Sequence, residues 1–254
     1  MTDLIAVLHL AEQPEYLLLA MAAVVAAYAV FTLVGFGSAL LASAPLAMLL
    51  PVAKVIPLLA LLDFAGSSLR GWRARHELAW SELRQLLPGM LLGQLLGVFV
   101  LSRLPATWMA LGLGLFVSVQ GGRGLVAGQA AGRRQPRAAL LHGLFGGVLG
   151  GLFGSGGFVY ASYLERRLES RAAFRATQAV LIALSTAWRI ILCLSVGLLD
   201  FRLLLTAVVF VPAMALGVYA GQHLDLRMSR EQLFRFLNAL LIVSGLVLVL
   251  RFAV

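Results

Sequence analysis

Charge is scarce in this chain, and acidic charge scarcest: only 12% of its 254 residues are Asp, Glu, Lys or Arg, and just 11 of them are acidic. A soluble domain carries about a quarter charged residues, so a globule bathed in water is excluded. Cysteine is almost missing, with Cys193 alone, so no disulfide closes within the chain and no Cys-x-x-Cys pair serves redox chemistry or zinc. There is also no Walker A loop and no His/Cys/Asp/Glu cluster at metal-ligand spacing, which removes nucleotide hydrolysis and metal catalysis. The most informative absence lies between Glu15 and Lys54, where 38 residues pass without a charge. That is about twice the roughly 20 residues a spanning helix needs.

What is present is apolar: 61% of the residues are hydrophobic, with a mean hydropathy of +0.95. This composition describes a membrane protein. A formal charge of +9 would suit nucleic acid if it lay on one polar face. Here the arginines fall between apolar runs, so nucleic acid is excluded as a partner and the charge reports orientation in a bilayer. Met1 to Glu15 carries Asp3, Glu12 and Glu15 but no Lys or Arg, unlike the basic start of a cleaved signal peptide, and the first apolar run is expected to be kept.

Gly35-Phe36-Gly37-Ser38 interrupts the first long run after Tyr16–Val34, and Pro45 shortens the next segment. Further apolar segments are read near 55–70, 83–101, 106–124, 138–153, 157–164, 174–197, 203–222 and 233–250, making ten. Two of them, about 39–50 and 157–164, are too short to cross about 30 Å of hydrocarbon at 1.5 Å per residue and are expected to be half-helices. Lys and Arg at the segment ends alternate: fifteen fall on one side, in four groups around Arg70–Arg84, Arg123–Arg137, Arg166–Arg175 and Arg227–Arg235. Four, Lys54, Arg103, Arg202 and Arg251, fall on the other. The asymmetry puts the fifteen in the cytoplasm and both termini in the periplasm.

The chain also repeats itself. Pro88-x4-Gly93-x3-Gly97 returns as Pro212-x4-Gly217-x3-Gly221 at an offset of 124. Arg103 and Gly121 align with Arg227 and Gly245 at the same offset, Phe36-Gly37-Ser38 aligns with Phe153-Gly154-Ser155 at 117, and Arg70 with Arg189 at 119. The expected fold is therefore an all-α, polytopic membrane helical bundle of two inverted five-segment repeats with short broken helices: residues 1–126, a linker 127–137, and residues 138–254.

The candidate site follows from that arrangement. Gly35, Gly37 and Ser38 in one half, and Gly154, Ser155, Gly156 and Gly157 in the other, stand where a long segment gives way to a short one. A helix that begins inside the membrane presents free N–H groups and the positive end of its dipole, which favours an anion. Ser38 and Ser155 are placed to cap those helices or to touch the ligand. Arg189 is a cation inside the apolar stretch Ala176–Leu199, which costs at least about 2.5 kcal/mol on insertion scales and calls for a partner. That partner is an anion held by the guanidinium fork, or Asp63, the only acid deep within a first-half segment; Asp63 is also a place for a coupling proton or sodium ion. Gln178 shares the Arg189 segment. Tyr28, Trp80, Trp108 and Tyr219 fit a belt or packing role, and His142 and His223 fit an interface. An intramembrane serine protease would need Gly where Phe153 stands, so no catalytic residues and no cofactor are assigned.

Taken together, Gly35-Phe36-Gly37-Ser38 with Pro45, Gly93-Gln94-Leu95-Leu96-Gly97 and Phe153-Gly154-Ser155-Gly156-Gly157 resemble the sulfite exporter TauE/SafE family, also called the 4-toluene sulfonate uptake permease family. The resemblance covers nearly the whole chain. It implies a permease of the bacterial inner membrane for sulfite, sulfoacetate or other sulfonates. The expected function is secondary transport of a small anion by alternating access, with a non-transporting scaffold or assembly factor, or an anion channel, as alternatives. The expected partners are the anion and the lipid bilayer, with the coupling ion and a homodimer left open.

Overall fold

The computed structural model describes residues 14–35, 37–47, 50–126, 138–223 and 230–253. The linker 127–137, with Arg133, Arg134 and Arg137, and Arg227 lie outside them. The described residues form ten α-helices and no strand: α1 Pro14–Val34, α2 Ser38–Leu46, α3 Val52–Arg73, α4 Trp80–Arg103, α5 Ala106–Val126, α6 Ala139–Phe153, α7 Gly157–Arg167, α8 Arg171–Ser195, α9 Phe201–His223 and α10 Arg230–Ala253. A single 3₁₀ turn, Arg75–Glu77, leads into α4. α4, α8 and α9 are long and apolar enough to cross a bilayer, whereas α2 and α7 have only 9 and 11 residues. The chain is an all-helical membrane protein, and the two short helices fall where the sequence expects them.

Local chemistry explains the helix ends. Pro51 precedes α3 and contributes a fixed φ without needing a hydrogen-bond partner. α6 stops at Gly154, whose φ of +71° turns the chain out of the helix, and α1 stops at Gly35 with φ +93°. Asp200 ends the loop before α9 by accepting Leu203 N–H at 2.9 Å, an N-cap.

The main helix pairs are α4 with α6, α5 with α10, α1 with α9 and α3 with α8. Small residues set these approaches: a Cβ built on Gly147 of α6 would lie 2.5 Å from the Met90 carbonyl oxygen of α4 and 2.9 Å from Gln94 N. On α9, a Cβ at Gly221 would lie 2.5 Å from the Ala29 carbonyl oxygen of α1. In lipid, where apolar side chains gain little from meeting one another, such close backbone contact is what holds helices together. Outward faces carry Leu92, Leu96 and Phe99 of α4, Phe145 of α6 and Val208 and Leu216 of α9, all exposed, as lipid contact requires.

Helix starts and pairings recur along the chain. α2 and α7 begin 119 residues apart, as do α3 and α8, and α5 and α10 begin 124 apart. Counting five helices on turns the α4·α6 pair into α9·α1 and returns α3·α8 and α5·α10 to themselves. The helix ends differ from the side-chain alignment of Phe36-Gly37-Ser38 with Phe153-Gly154-Ser155. Gly35 and Gly154 share positive φ, and Gly37 and Gly156 are the N-caps of α2 and α7. Gly35 N–H donates to Phe31 O at 2.8 Å and Gly154 N–H to Gly150 O at 3.0 Å. The turns thus correspond at 119, because backbone geometry and not side-chain identity defines them, and Ser38 corresponds to Gly157 instead of Ser155.

Candidate functional site

Between the two broken-helix turns lies a cavity lined from one side by Gly37 and Ser38, from the other by Gly154, Ser155 and Gly157, and from α3 and α8 by Asp63, Ile182, Ser185, Thr186 and Arg189. Its free space is about 20 Å³. The α2 and α7 N-termini meet here, and neither Gly37 nor Gly156 makes a side-chain cap. The serines do not cap either: Ser38 Oγ donates to Asp63 Oδ1 at 2.7 Å, and Ser155 Oγ donates to Phe153 O at 3.0 Å. The first N–H groups of both short helices therefore keep the partial positive charge that a cap would satisfy.

Arg189 supplies a full charge. Its residue is 2% exposed, and neither Nε nor Nη1 has a hydrogen-bond partner among the described residues. The guanidinium lies along the end of α6: a Cβ on Gly150 would stand 3.3 Å from Nη2, and one on Gly154 3.5 Å from Nη1. Glycine at both places leaves the fork room beside the turn. No hydrogen bond or ion pair joins Arg189 to Asp63 among the described residues, although both line the cavity. A buried guanidinium with two nitrogens left unpartnered is costly to hold and attracts an anion.

Asp63, 4% exposed, is held on the α3 wall of the same cavity. Tyr28 of α1 and Ser38 of α2 each donate a hydroxyl to Oδ1 at 2.7 Å, and Ser67 Oγ donates to the Asp63 carbonyl at 2.5 Å. The remaining expected residues stand one layer back. Gln178 Nε2 donates to Gly157 O at 2.7 Å and so braces the α7 turn, and a Cβ on Gly35 would sit 4.0 Å from Gln178 Cγ. A Cβ on Gly156 would lie 3.1 Å from the Tyr160 hydroxyl.

Other contributors are absent from the expected set. Gln94 of α4, wholly buried, donates from Nε2 to Ser185 Oγ, leaving its Oε1 without a partner among the described residues. Arg70 closes α3 against the end of α1, with Nη1 donating to Phe31 O at 3.1 Å and its guanidinium 3.9 Å above the Phe31 ring. Arg70 and Arg189 thus back the two turns at corresponding places; each leaves two guanidinium nitrogens without a partner among the described residues, but Arg70 bonds a helix-end carbonyl whereas Arg189 lines the cavity. Neutral polar residues such as Tyr28, Gln94 and Ser185 look like packing in the sequence, since nothing in their spacing marks them. The pairing of Arg70 with Arg189 at 119 is the one signal that reaches further.

Away from the cavity, two ion pairs among the described residues clasp the bundle. Glu82 at the start of α4 takes Arg167 Nη2 at 2.8 Å, Arg167 Nε at 3.1 Å and the Tyr163 hydroxyl at 2.8 Å, tying down the end of α7. At the start of α3, Lys54 Nζ meets Asp200 Oδ2 at 2.7 Å, and this hydrogen bond holds the Asp200 carboxyl below its ordinary range.

Residues 19–248 match the sulfite exporter TauE/SafE family. The chain belongs to that family. It is also similar to a protein of Comamonas testosteroni named as the probable inner membrane transporter protein TsaS, 31% identical over 196 residues that cover 74% of this chain and 80% of the relative. No solved structure matches. Membership makes this chain a membrane transport protein.

Proposed function

We propose that the chain carries sulfite or a small sulfonate across the bacterial inner membrane by alternating access, with the anion held between the α2 and α7 N-termini and Arg189. One observation carries the reading: an arginine that is 2% exposed and has two unpartnered nitrogens faces a cavity flanked by two uncapped helix starts. Three oxygens on sulfur suit this set, since the fork takes two and backbone N–H groups take the third. The family name and the name of the relative point to the same class.

In this reading the two halves are inverted repeats, supported by the recurring helix ends and by the pairing of α4·α6 with α9·α1. The cavity, at about 20 Å³, is too small for a sulfonate, so the walls must part to admit one. The Glu82–Arg167 pair is then the clasp on the arginine-rich, cytoplasmic side and Lys54–Asp200 the clasp on the periplasmic side, with both termini periplasmic. A homodimer is compatible with this site but not required by it.

The test is counterflow in proteoliposomes, with radiolabelled sulfite and sulfoacetate as probes. The wild type is expected to exchange at least one of them saturably, and Arg189→Ala to lose about 100-fold or more, in line with loss of a charged hydrogen-bonding partner at about 2.7 kcal/mol or above. Wild-type exchange that survives the substitution would remove Arg189 from the site. A scaffold would move neither anion, and a channel would pass them without saturation.

A further inference from the structure

We infer that Asp63 takes up a proton when the anion binds, so that each anion crosses with a proton; this rests on the anion reading of the Arg189 cavity. The geometry divides the carboxylate into two roles. Oδ1 receives both hydroxyls, from Tyr28 and Ser38. Oδ2 receives no hydrogen bond from any described residue, and the side chain lines the same cavity as Arg189. A proton arriving through the cavity meets Oδ2 first.

The surroundings say what charges it answers to. From α1 the titratable neighbour is the Tyr28 phenol, from α2 only the Ser38 hydroxyl faces it, and from α8 Arg189 lines the same cavity, with the Cys193 thiol one turn further along the helix. On α3 itself Arg70 lies two turns on, engaged with the end of α1. The buried faces of α6 and α9 carry no ionisable side chain among the described residues. In the empty cavity Asp63 and Arg189 offset one another. An arriving anion takes Arg189 for itself and leaves the carboxylate facing a second negative charge in a site that water barely enters. A proton on Oδ2 removes that conflict, and its release on the far side lets the anion go.

The fold does not require an acid here. At the corresponding position on α8, 119 residues on, stands Ile182, which also lines the cavity, and Thr186 donates to the Ile182 carbonyl at 2.8 Å as Ser67 does to that of Asp63. The same helix geometry thus works with an aliphatic side chain. A metal cation fits poorly, because Arg189 lines the same cavity and repels cations, and no group of three His, Cys, Asp or Glu gathers among the described residues.

The experiment is calorimetric titration of the purified full chain with sulfoacetate, whose own groups stay ionised at about pH 6.5 to 8, in buffers of different ionisation heat and in sodium or choline salts. The wild type is expected to take up about one proton per anion bound near the upper end of that range, with affinity falling up to about tenfold per pH unit above the carboxyl's titration. Asp63→Asn is expected to bind without proton uptake and without pH dependence. Should that variant fail to fold, Asp63→Glu is expected to keep the uptake with a shifted pH midpoint. Wild-type binding with no proton uptake at any pH, binding that needs sodium, or uptake unchanged in Asp63→Asn would overturn the inference while leaving the anion site standing. If neither sulfoacetate nor methanesulfonate binds, the sulfonate reading fails and takes this one with it.

Discussion

A charged side chain buried in an apolar helix is expensive, and at the scale of single residues that expense is what makes the site recognisable. Arg189 and Asp63 stand out because each is a lone charge within its long apolar run, and the structure sets both on one cavity. Tyr28 is different. Its ring packs edge-on against Phe31 at 5.6 Å between centroids while its hydroxyl reaches Asp63, and a sequence registers only the first of these. Tyr28→Phe keeps the ring and removes one of two donors to the carboxylate, so it is expected to destabilise the protein by about 1.5 to 3 kcal/mol. Its apparent melting temperature in detergent checks this; an unchanged value would mean the bond contributes nothing. Gln178→Ala removes the brace on Gly157 and is expected to slow exchange about tenfold while leaving insertion intact, as a turn displaced from its anion would. Equal exchange rates for wild type and variant would contradict that role.

Helices and turns were more legible than side-chain partners. Charge-free runs, Gly-x-Gly breaks and short apolar stretches locate all ten helices, because membrane thickness dictates length and glycine dictates where a helix can stop. The register between the two turns was not legible to the same degree: matching Ser38 to Ser155 follows side chains, while the N-caps set Gly37 against Gly156. At this scale Gly147→Ala is expected to cost about 1 to 3 kcal/mol by pushing α4 off α6. Gly122→Ala, with nothing within 4 Å of its Cβ, is expected to be neutral or to stabilise by up to about 1 kcal/mol through helix propensity. Comparing the two melting temperatures checks whether close approach or glycine content governs stability. The clasp between α4 and α7 is the other element-scale device. Glu82→Gln weakens its hold on Arg167 and Tyr163, and a cysteine placed at Ser155 is then expected to react faster with impermeant thiol reagent from the cytoplasmic face alone.

For the molecule as a whole, the proposed transport depends on one buried site reached alternately from two sides. The charge asymmetry of the loops, the recurring helix ends and the α4·α6 and α9·α1 pairs all fit halves that move as opposed copies. Ser155 lines the cavity and the native Cys193 is buried, which makes a single reporter possible. The most direct measurement is modification of Ser155→Cys, in a Cys193→Ala background that retains exchange, by a membrane-impermeant sulfonatoethyl thiosulfonate applied separately to each face of oriented vesicles. Alternating access requires labelling from both faces and protection from both by sulfoacetate. Labelling from one face only, or labelling that sulfoacetate never slows, would contradict it.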